Sequence, residues 1–368
     1  MNVAIVGAGS IGNHLAYSAR KIGWEVSVFD SDLEALDRFK SSIFPSRYGS
    51  YDSSILLSDV SHFAETKAKS FDVILIGTPP DTHLQILRQA VKLQPKFIFI
   101  EKPLCTPSED EIFEMREIIN SQENIRFFCG YNHRLNSVTQ NLIDSFQLLD
   151  SSVFKLEVKW LESWNGIMQA HPWIKSPGDT YLGSTTRGGG ALFEHSHGID
   201  LWINLARYLG LGIPRKVKGK IQEIRDVETK VFYDAEVSIE IETNLGFIGT
   251  VTQDVISLPS VKQVAIEGES YNFLAQYNHG GFDKLSCLPK TKTLGGFTLE
   301  LSKPRPSDFD PEIAMIDKLL KGAKIQNLRL GLDATSGLFS TYVAKRALDS
   351  ARSNDAKEID TLGWEFRD

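Results

Sequence analysis

Two stretches of this chain carry side chains whose types and spacing suit proton transfer. The first is Glu101-Lys102-Pro103, which directly follows the short apolar run Phe97 to Ile100. Proline restricts the backbone of the residue before it, so Lys102 can present an ammonium at a constant place. A surface lysine snorkelling from a strand end fits the same pattern equally well. The second stretch is GGGALFEHSHGID, in which Gly188-Gly189-Gly190 lead to Glu194, His195, His197 and Asp200. On one continuous helix from about Ala191 to Leu209, Glu194, His197 and Asp200 share a ridge, and His195 lies roughly 200 degrees around from His197 at ~100 degrees per residue. A carboxylate one turn from an imidazole orients the ring, fixes its tautomer and keeps its pKa near working pH, as a general base requires. A helix cap beside a satisfied buried histidine is the plainer alternative. A metal set of Glu194, His195 and His197 is weaker, because helical histidines two apart do not face one point. No metal is expected.

The elements that must position these residues start at the N-terminus. Asn2 to Val6 is a short apolar run that enters Gly7-Ala8-Gly9-Ser10-Ile11-Gly12, and a helix-period stretch follows from His14 to Ile22. Strand, glycine turn and helix make a dinucleotide site: Gly7 for the tight turn, Gly9 for close approach of a diphosphate, Gly12 for packing of helix on strand. The helix N-terminus offers unpaired N–H groups and the positive end of its dipole. A second run, Glu25 to Phe29, ends in Asp30, 23 positions beyond Gly7, about where an acid meets the adenosine ribose. Its carboxylate bonds a 2′-hydroxyl and repels a 2′-phosphate, and Ser31-Asp32 supply no cation, so NAD is expected over NADP.

Further short runs, Phe71 to Ile76, Phe97 to Ile100 and Ile125 to Cys129, alternate with helix patterns at about Asp81 to Lys92 and Ser108 to Asn120. Asp81 is a candidate N-cap, and Ser108 with Glu111 a capping box. Between Ser41 and Ser54 the Ser, Pro, Gly and Tyr content predicts a surface loop. The alternation predicts a doubly wound parallel sheet, with ligands at the carboxyl ends of its strands. That rule gathers Gly7 to Gly12, Asp30, Gly77 to Pro80, Glu101 to Pro103 and Gly130 to Arg134 around one cofactor.

Beyond about Tyr131 the rhythm becomes that of antiparallel strands: Val153 to Trp160, Val217 to Ile224, Ala235 to Glu242 and Gly246 to Asp254. Helices are expected at Pro311 to Lys321 and Asp333 to Ser353. The expected division is residues 1–130, a dinucleotide-binding domain, and residues 131–368, an α+β domain whose helices at 311–353 return toward the first. A substrate cleft is expected between them. At 368 residues and 42% hydrophobic content the chain can bury two cores. A net charge of −7 without basic runs argues against nucleic acid or an anionic membrane surface. Three scattered cysteines, with no signal-peptide pattern and no apolar span, point to a reducing compartment, the cytoplasm.

GAGSIG, Glu101-Lys102-Pro103, Gly130-Tyr131-Asn132-His133-Arg134 and Gly188-Gly189-Gly190 with His197-Gly198-Ile199-Asp200 together resemble the Gfo/Idh/MocA oxidoreductases, the glucose-fructose oxidoreductase and inositol dehydrogenase group. The resemblance covers nearly the whole chain. It implies an α/β Rossmann domain followed by an α+β domain with a large, mostly antiparallel sheet. It also implies NAD(P)-dependent chemistry at a carbinol carbon of a sugar, nucleotide sugar or cyclitol, in a homodimer or homotetramer. The implied cofactor contacts are Gly7, Gly9, Ser10, Ile11, Gly12, Asp30, Thr78, Pro79, Pro80, His83, Glu101, Lys102 and Asn132. By motif, Lys102 and His197 become the acid–base pair and Asp200 the partner of His197, with Arg134, Trp164 and Glu194 as candidate substrate contacts. Polar residues of the segment from Trp164 to Arg187 join them. Many members carry an aspartate four positions before the histidine. Here Glu194 stands three before it, a spacing that resembles a branch associated with bacterial surface-sugar clusters. Members without activity also exist, so a non-catalytic NAD-dependent sensor is the rival expectation. The same fold acting on a dihydrodiol or tetrapyrrole is another.

Overall fold

A computed structural model describes residues 1–149, 152–170, 174–302, 309–323 and 331–366. Six short strands, β1 (Asn2–Val6), β2 (Glu25–Asp30), β3 (Leu56–Asp59), β4 (Val73–Ile76), β5 (Phe97–Ile100) and β6 (Arg126–Cys129), form a parallel sheet in the order β3-β2-β1-β4-β5-β6. All four residues of β4 and of β5 are buried, as expected of parallel strands covered on both faces. The covering helices include α1 (Ser10–Lys21), and the chain order reverses between β1 and β4, where an open α/β sheet leaves a crevice.

After β2 come α2 (Leu33–Arg38), a π turn (Phe39–Ile43) and α3 (Phe44–Tyr48). The loop expected from Ser41 is therefore helical as far as Tyr48. Phe39, Ile43 and Phe44 are buried, and the burial of these side chains outweighs the turn signals of serine and proline around them. Strand β3 and the short α4 (Val60–Ala64) follow; neither was legible, since a four-residue edge strand carries little pattern. Next are α5 (Pro80–Ala90) and α6 (Glu109–Ser121). The N-cap of α5 is Pro79, not Asp81, which falls inside the first turn.

The remainder builds a nine-stranded sheet. Its members are β7 (Val153–Leu161), β8 (Pro214–Arg225), β9 (Phe232–Thr243), β10 (Ile248–Asp254), β11 (Val261–Gly268), β12 (Tyr271–His279), β13 (Phe282–Pro289), β14 (Phe297–Ser302) and β15 (Lys357–Glu358). The order is β14-β13-β12-β11-β7-β10-β9-β8-β15, antiparallel except where β7 meets β10. Four of these strands were expected, all as antiparallel; the meander from β11 to β14 was not anticipated. Helix α7 (Ser137–Leu149) precedes the sheet, α8 (Asn165–Ala170) follows β7, and α9 (Gly190–Glu194) and α10 (His197–Tyr208) lie beyond it. The single helix expected over 191–209 is thus two, broken at His195 and Ser196.

Helices α11 (Asp310–Leu320) and α12 (Ala334–Ser353) return to the first sheet. Ser18 of α1 donates to Asp310 at 2.7 Å and the Trp24 indole to Asp317 at 3.2 Å. Ahead of α12, Leu332 accepts from the Cys129 N–H at 2.8 Å. Arg134 fastens this junction: it donates to both Asp200 oxygens at 2.7 and 2.5 Å, to the Ser336 hydroxyl at 2.7 Å and to the Gly331 carbonyl at 3.0 Å. Breaking a buried pair strands the surviving charge. Arg134→Met is expected to lower unfolding free energy by about 3–5 kcal/mol in denaturant titration. Arg134→Met with Asp200→Leu should recover a large part of that loss.

Candidate active site

The glycine turn separates what the fold needs from what a ligand needs. A Cβ on Gly7, whose φ is +112°, would lie 2.8 Å from the Gly77 carbonyl oxygen, and one on Gly12 only 1.8 Å from that of Gly7. A Cβ on Gly9 would meet nothing within 4 Å, and Gly9 has an ordinary φ of −72°. The protein itself has no steric use for glycine at position 9, whereas a diphosphate over the first turn of α1 does. That turn has neither a side-chain cap nor an acidic residue to occupy its N–H groups.

Asp30 accepts from the Ala8 N–H at 2.7 Å and from the Asp32 N–H at 2.9 Å, which fixes its carboxylate at the rim of a cavity of ≈ 590 Å³. Gly7, Gly9, Thr78 and Pro79 line the same cavity. Asn132 has a buried Oδ1 with no hydrogen-bond partner, the kind of orphaned acceptor that a ligand satisfies. These residues fit a dinucleotide. His83 does not take part as expected: it is fully buried, with ring nitrogens 2.7 Å from the Thr78 carbonyl and 3.1 Å from that of Leu104. It ties the loop after β4 to the loop after β5. Pro80 is also buried, and a Cβ on Gly188 would lie 2.9 Å from its own Cβ, so it packs against the second half of the chain. Ile11 is not among the cavity-lining residues; its side chain faces Gly77.

Lys102 leaves the end of β5 and crosses to α9. Its Nζ donates to the Glu194 carbonyl at 2.8 Å and to Glu194 Oε1 at 3.0 Å, and the Tyr181 hydroxyl donates to Oε2 at 3.0 Å. Both charged side chains are largely shielded, at 13% and 12% exposure. Glu101, buried beside Lys102, sits against Gly130, where any Cβ would lie 2.7 Å from its carboxylate. Burial pushes the Glu101 carboxyl up to about 7, against the pull of the neighbouring ammonium.

His197 opens α10 inside a ring of aromatic groups, with Tyr131 at 5.7 Å, His133 at 4.5 Å and Trp160 at 5.6 Å between centroids. Its Nδ1 is buried and has no hydrogen-bond partner. Burial lowers its pKa far below the usual value, and the charges of His133, Lys102 and Lys262 lower it further. Asp200 does not orient this imidazole, as the motif implied. Its oxygens are taken by Arg134, and the Ser340 hydroxyl adds a bond at 2.8 Å. For the same reason Arg134, 1% exposed, is a structural cation and not a substrate contact. Trp164 is 4% exposed and lies 5.0 Å from the Tyr233 ring, so it offers no open face to a sugar. Residues 171–173 of the surrounding segment lie outside the described residues. Tyr181 falls in the segment from Trp164 to Arg187 whose polar residues were candidate contacts, whereas Trp160 and the Lys262–Glu162 ion pair at 2.6 Å were not anticipated. Alternation along β7 could have placed Trp160 on the buried face; nothing in the pattern singles out Tyr181 within its segment.

Lys102 and Glu194 thus meet directly, and the neutral His197 lies within electrostatic reach of the ammonium. Residues 1–131 match the family described as "Oxidoreductase family, NAD-binding Rossmann fold", GFO_IDH_MocA. No curated protein matches the chain. Among solved structures, levoglucosan dehydrogenase in complex with NADH and levoglucosan superposes with a TM-score of 0.73 at 17% identity, over 98% of this chain and 100% of that one. The WlbA dehydrogenase from Bordetella pertussis, in complex with NADH and UDP-GlcNAcA, gives 0.70 at 15% identity, over 98% of each chain. An oxidoreductase domain protein from Kribbella flavida gives 0.72 at 14%, over 97% and 98%. The two-domain architecture is common to all of them.

Two predictions test the site. Gly9→Ala is expected to keep the wild-type thermal midpoint and to weaken NAD binding more than about tenfold in fluorescence titration, because its Cβ enters ligand space alone. The second concerns pH. Burial, with the Lys262 and Lys102 charges, lowers His195 to about 3, whereas an unfolded imidazole titrates near 6.5. Its contribution to stability is therefore present above about pH 6.5 and is lost as pH falls toward 3. His195→Gln should reduce proton uptake on unfolding at pH 5 by about one proton, read from the pH slope of the unfolding free energy.

Proposed function

We propose that the protein is an NAD-dependent dehydrogenase acting on a CH–OH group of a sugar-type substrate, with residues 1–130 holding the cofactor and residues 131–368 the substrate. The observation that carries this reading is the Lys102–Glu194 pair, which joins the cofactor side to the glycine-led helix at a shielded 3.0 Å contact. NAD, when bound, accepts or returns the hydride at the carbinol carbon.

Lys102 lies where its ammonium can donate to the reacting oxygen and stabilise negative charge as it develops there. In this reading the neutral His197 accepts the hydroxyl proton, against the lowering of its basicity by burial and nearby cations. Glu194 orients Lys102 from the other side, and Tyr181 steadies the second Glu194 oxygen. The relatives whose structures hold levoglucosan or UDP-GlcNAcA support a carbohydrate or nucleotide-sugar substrate. The reading includes a homodimer or homotetramer.

The direct test is absorbance at 340 nm with NAD and a panel of sugars, inositols and UDP-, GDP- and CMP-sugars. Turnover with one class establishes the dehydrogenase; tight NAD binding without turnover across the panel replaces it with the sensor. Given an active substrate, Lys102→Met and His197→Ala should each lower kcat/KM by about 10²–10⁴-fold while NAD still binds. A double variant with wild-type turnover would overturn the assignment.

A further inference from the structure

The end of α12 and the edge strand β15 gather positive charge around an open cavity of ≈ 410 Å³, which shares no lining residue with the cavity beside the glycine turn. Its walls are Arg346, Asp349, Arg352, Ser353 and Lys357. Residues 346, 349 and 353 are three and four apart and so lie on one helix face. The chain then turns at Asn354, whose φ is +59°, and returns as β15. Lys357 stands opposite Val217 of β8, and cross-strand neighbours share a face. That face carries α12: a Cβ on Gly219, two residues along β8, would lie 2.3 Å from the Ala347 carbonyl oxygen.

Part of this charge is already matched. Asp349 accepts from Lys345 at 2.6 Å and lies 3.6 Å from Arg346, which also meets Glu109 at 3.1 Å and the Glu358 carbonyl at 3.2 Å. Arg352 and Lys357 make no hydrogen bond or ion pair among the described residues. The negative end of the α12 dipole accounts for a cation in its last turn. It does not account for a second one brought to the same cavity by a separate strand, in a chain whose net charge is −7. Ser353 adds a donor, since its oxygen accepts from the Asp355 N–H at 3.4 Å and its own proton remains. Two cations and a hydroxyl suit a phosphoryl group, which offers a double charge and three acceptor oxygens. The volume falls in the range of roughly 300–1,000 Å³ that small-molecule sites occupy, with room beyond the phosphoryl group itself.

We propose that the recess between α12 and β15 binds the phosphoryl dianion of a small molecule, with Arg352, Lys357 and Ser353 as its contacts and the anchored Arg346 as a fixed wall. The site goes beyond the dehydrogenase reading and does not depend on it. Binding neutralises both cations and ties a two-residue edge strand to the helix whose first turns carry Ser336 and Ser340 at the Arg134–Asp200 junction.

The test is calorimetric titration of the full chain, with NAD present to occupy the glycine turn, using inorganic phosphate and ribose 5-phosphate as probes. Wild type, Arg352→Gln, Lys357→Gln and the double variant are compared, with sodium chloride at matched ionic strength as the control. Wild type should bind one equivalent; each single variant should weaken binding by about three- to tenfold and the double variant by more than about thirtyfold. Thermal midpoints without phosphate should stay at the wild-type value, because neither side chain bonds within the fold. Tighter binding of ribose 5-phosphate assigns the site to a phosphorylated small molecule, and equal binding assigns it to phosphate itself. Wild-type protein that takes up neither probe beyond the chloride control overturns the site. So does undiminished binding by the double variant, which would put the anion elsewhere on the chain. No turnover is read, so these outcomes are separate from those that decide the dehydrogenase.

Discussion

The bidentate Arg134–Asp200 pair fixes the junction on which one half of the site rests. Both side chains are 1% exposed, so each would carry a large desolvation cost without the other. Burial alone would lower the guanidinium, but the Asp200 charge more than offsets it and Arg134 stays a cation. Through this one group the turn after β6, helix α10 and the start of α12 meet, with Ser336 and Ser340 satisfying the remaining donors and lone pairs. The C-terminal helix thereby becomes part of the first domain's wall. The pair also takes Asp200 away from His197, leaving that imidazole to be positioned by ring packing and held neutral by its surroundings.

A second buried carboxylate places the other half of the site. Asp234 on β9 accepts from the Thr185 hydroxyl and from the Leu192 N–H, each at 2.6 Å. A Cβ on Gly190 would come within 2.0 Å of its oxygen, and one on Gly189 within 2.0 Å of the Tyr181 carbonyl oxygen. The triple glycine is thus a packing requirement: the backbone must approach Asp234 and Tyr181 closely enough for α9 to start where Glu194 can reach Lys102. Burial raises the Asp234 carboxyl to about 6, so the anchor of this loop is itself a group whose charge is costly in place. Strand β9, remote from the cofactor in sequence, sets the position of Glu194.

Much of this frame was legible because its signals are local. The parallel sheet follows from runs such as VILI and FIFI, and the cofactor site from GAGSIG with Asp30, since short-range sterics decide both. Asp200 and Arg134 were misassigned because a motif fixes spacing and cannot say which distant side chain claims a carboxylate. His83 was misread for the same reason: its place after a strand end suits a cofactor contact, yet both ring nitrogens lie against backbone carbonyls. The segment from Ser41 to Tyr48 looked like loop because serine and proline were weighed above the spacing of Phe39, Ile43 and Phe44. Tyr181 was covered only as one polar residue of the segment from Trp164 to Arg187; its bond to Glu194 depends on where that carboxylate ends up.

The spacing of Glu194 and His197 gains a meaning from the break between α9 and α10. On an unbroken helix residues three apart share a ridge and point the same way. With α9 ending at Glu194 and α10 beginning at His197, the two side chains are instead delivered by separate helices. Glu194 can then reach Lys102 while His197 sits among Tyr131, His133 and Trp160. Direct contact with the ammonium belongs to the carboxylate, whereas the Lys102 charge reaches the imidazole as an electrostatic influence that disfavours its protonation. In the proposed oxidation of an alcohol, the ammonium held by a carboxylate stabilises the oxygen and the neutral imidazole, with its lone pair unprotonated, receives the proton.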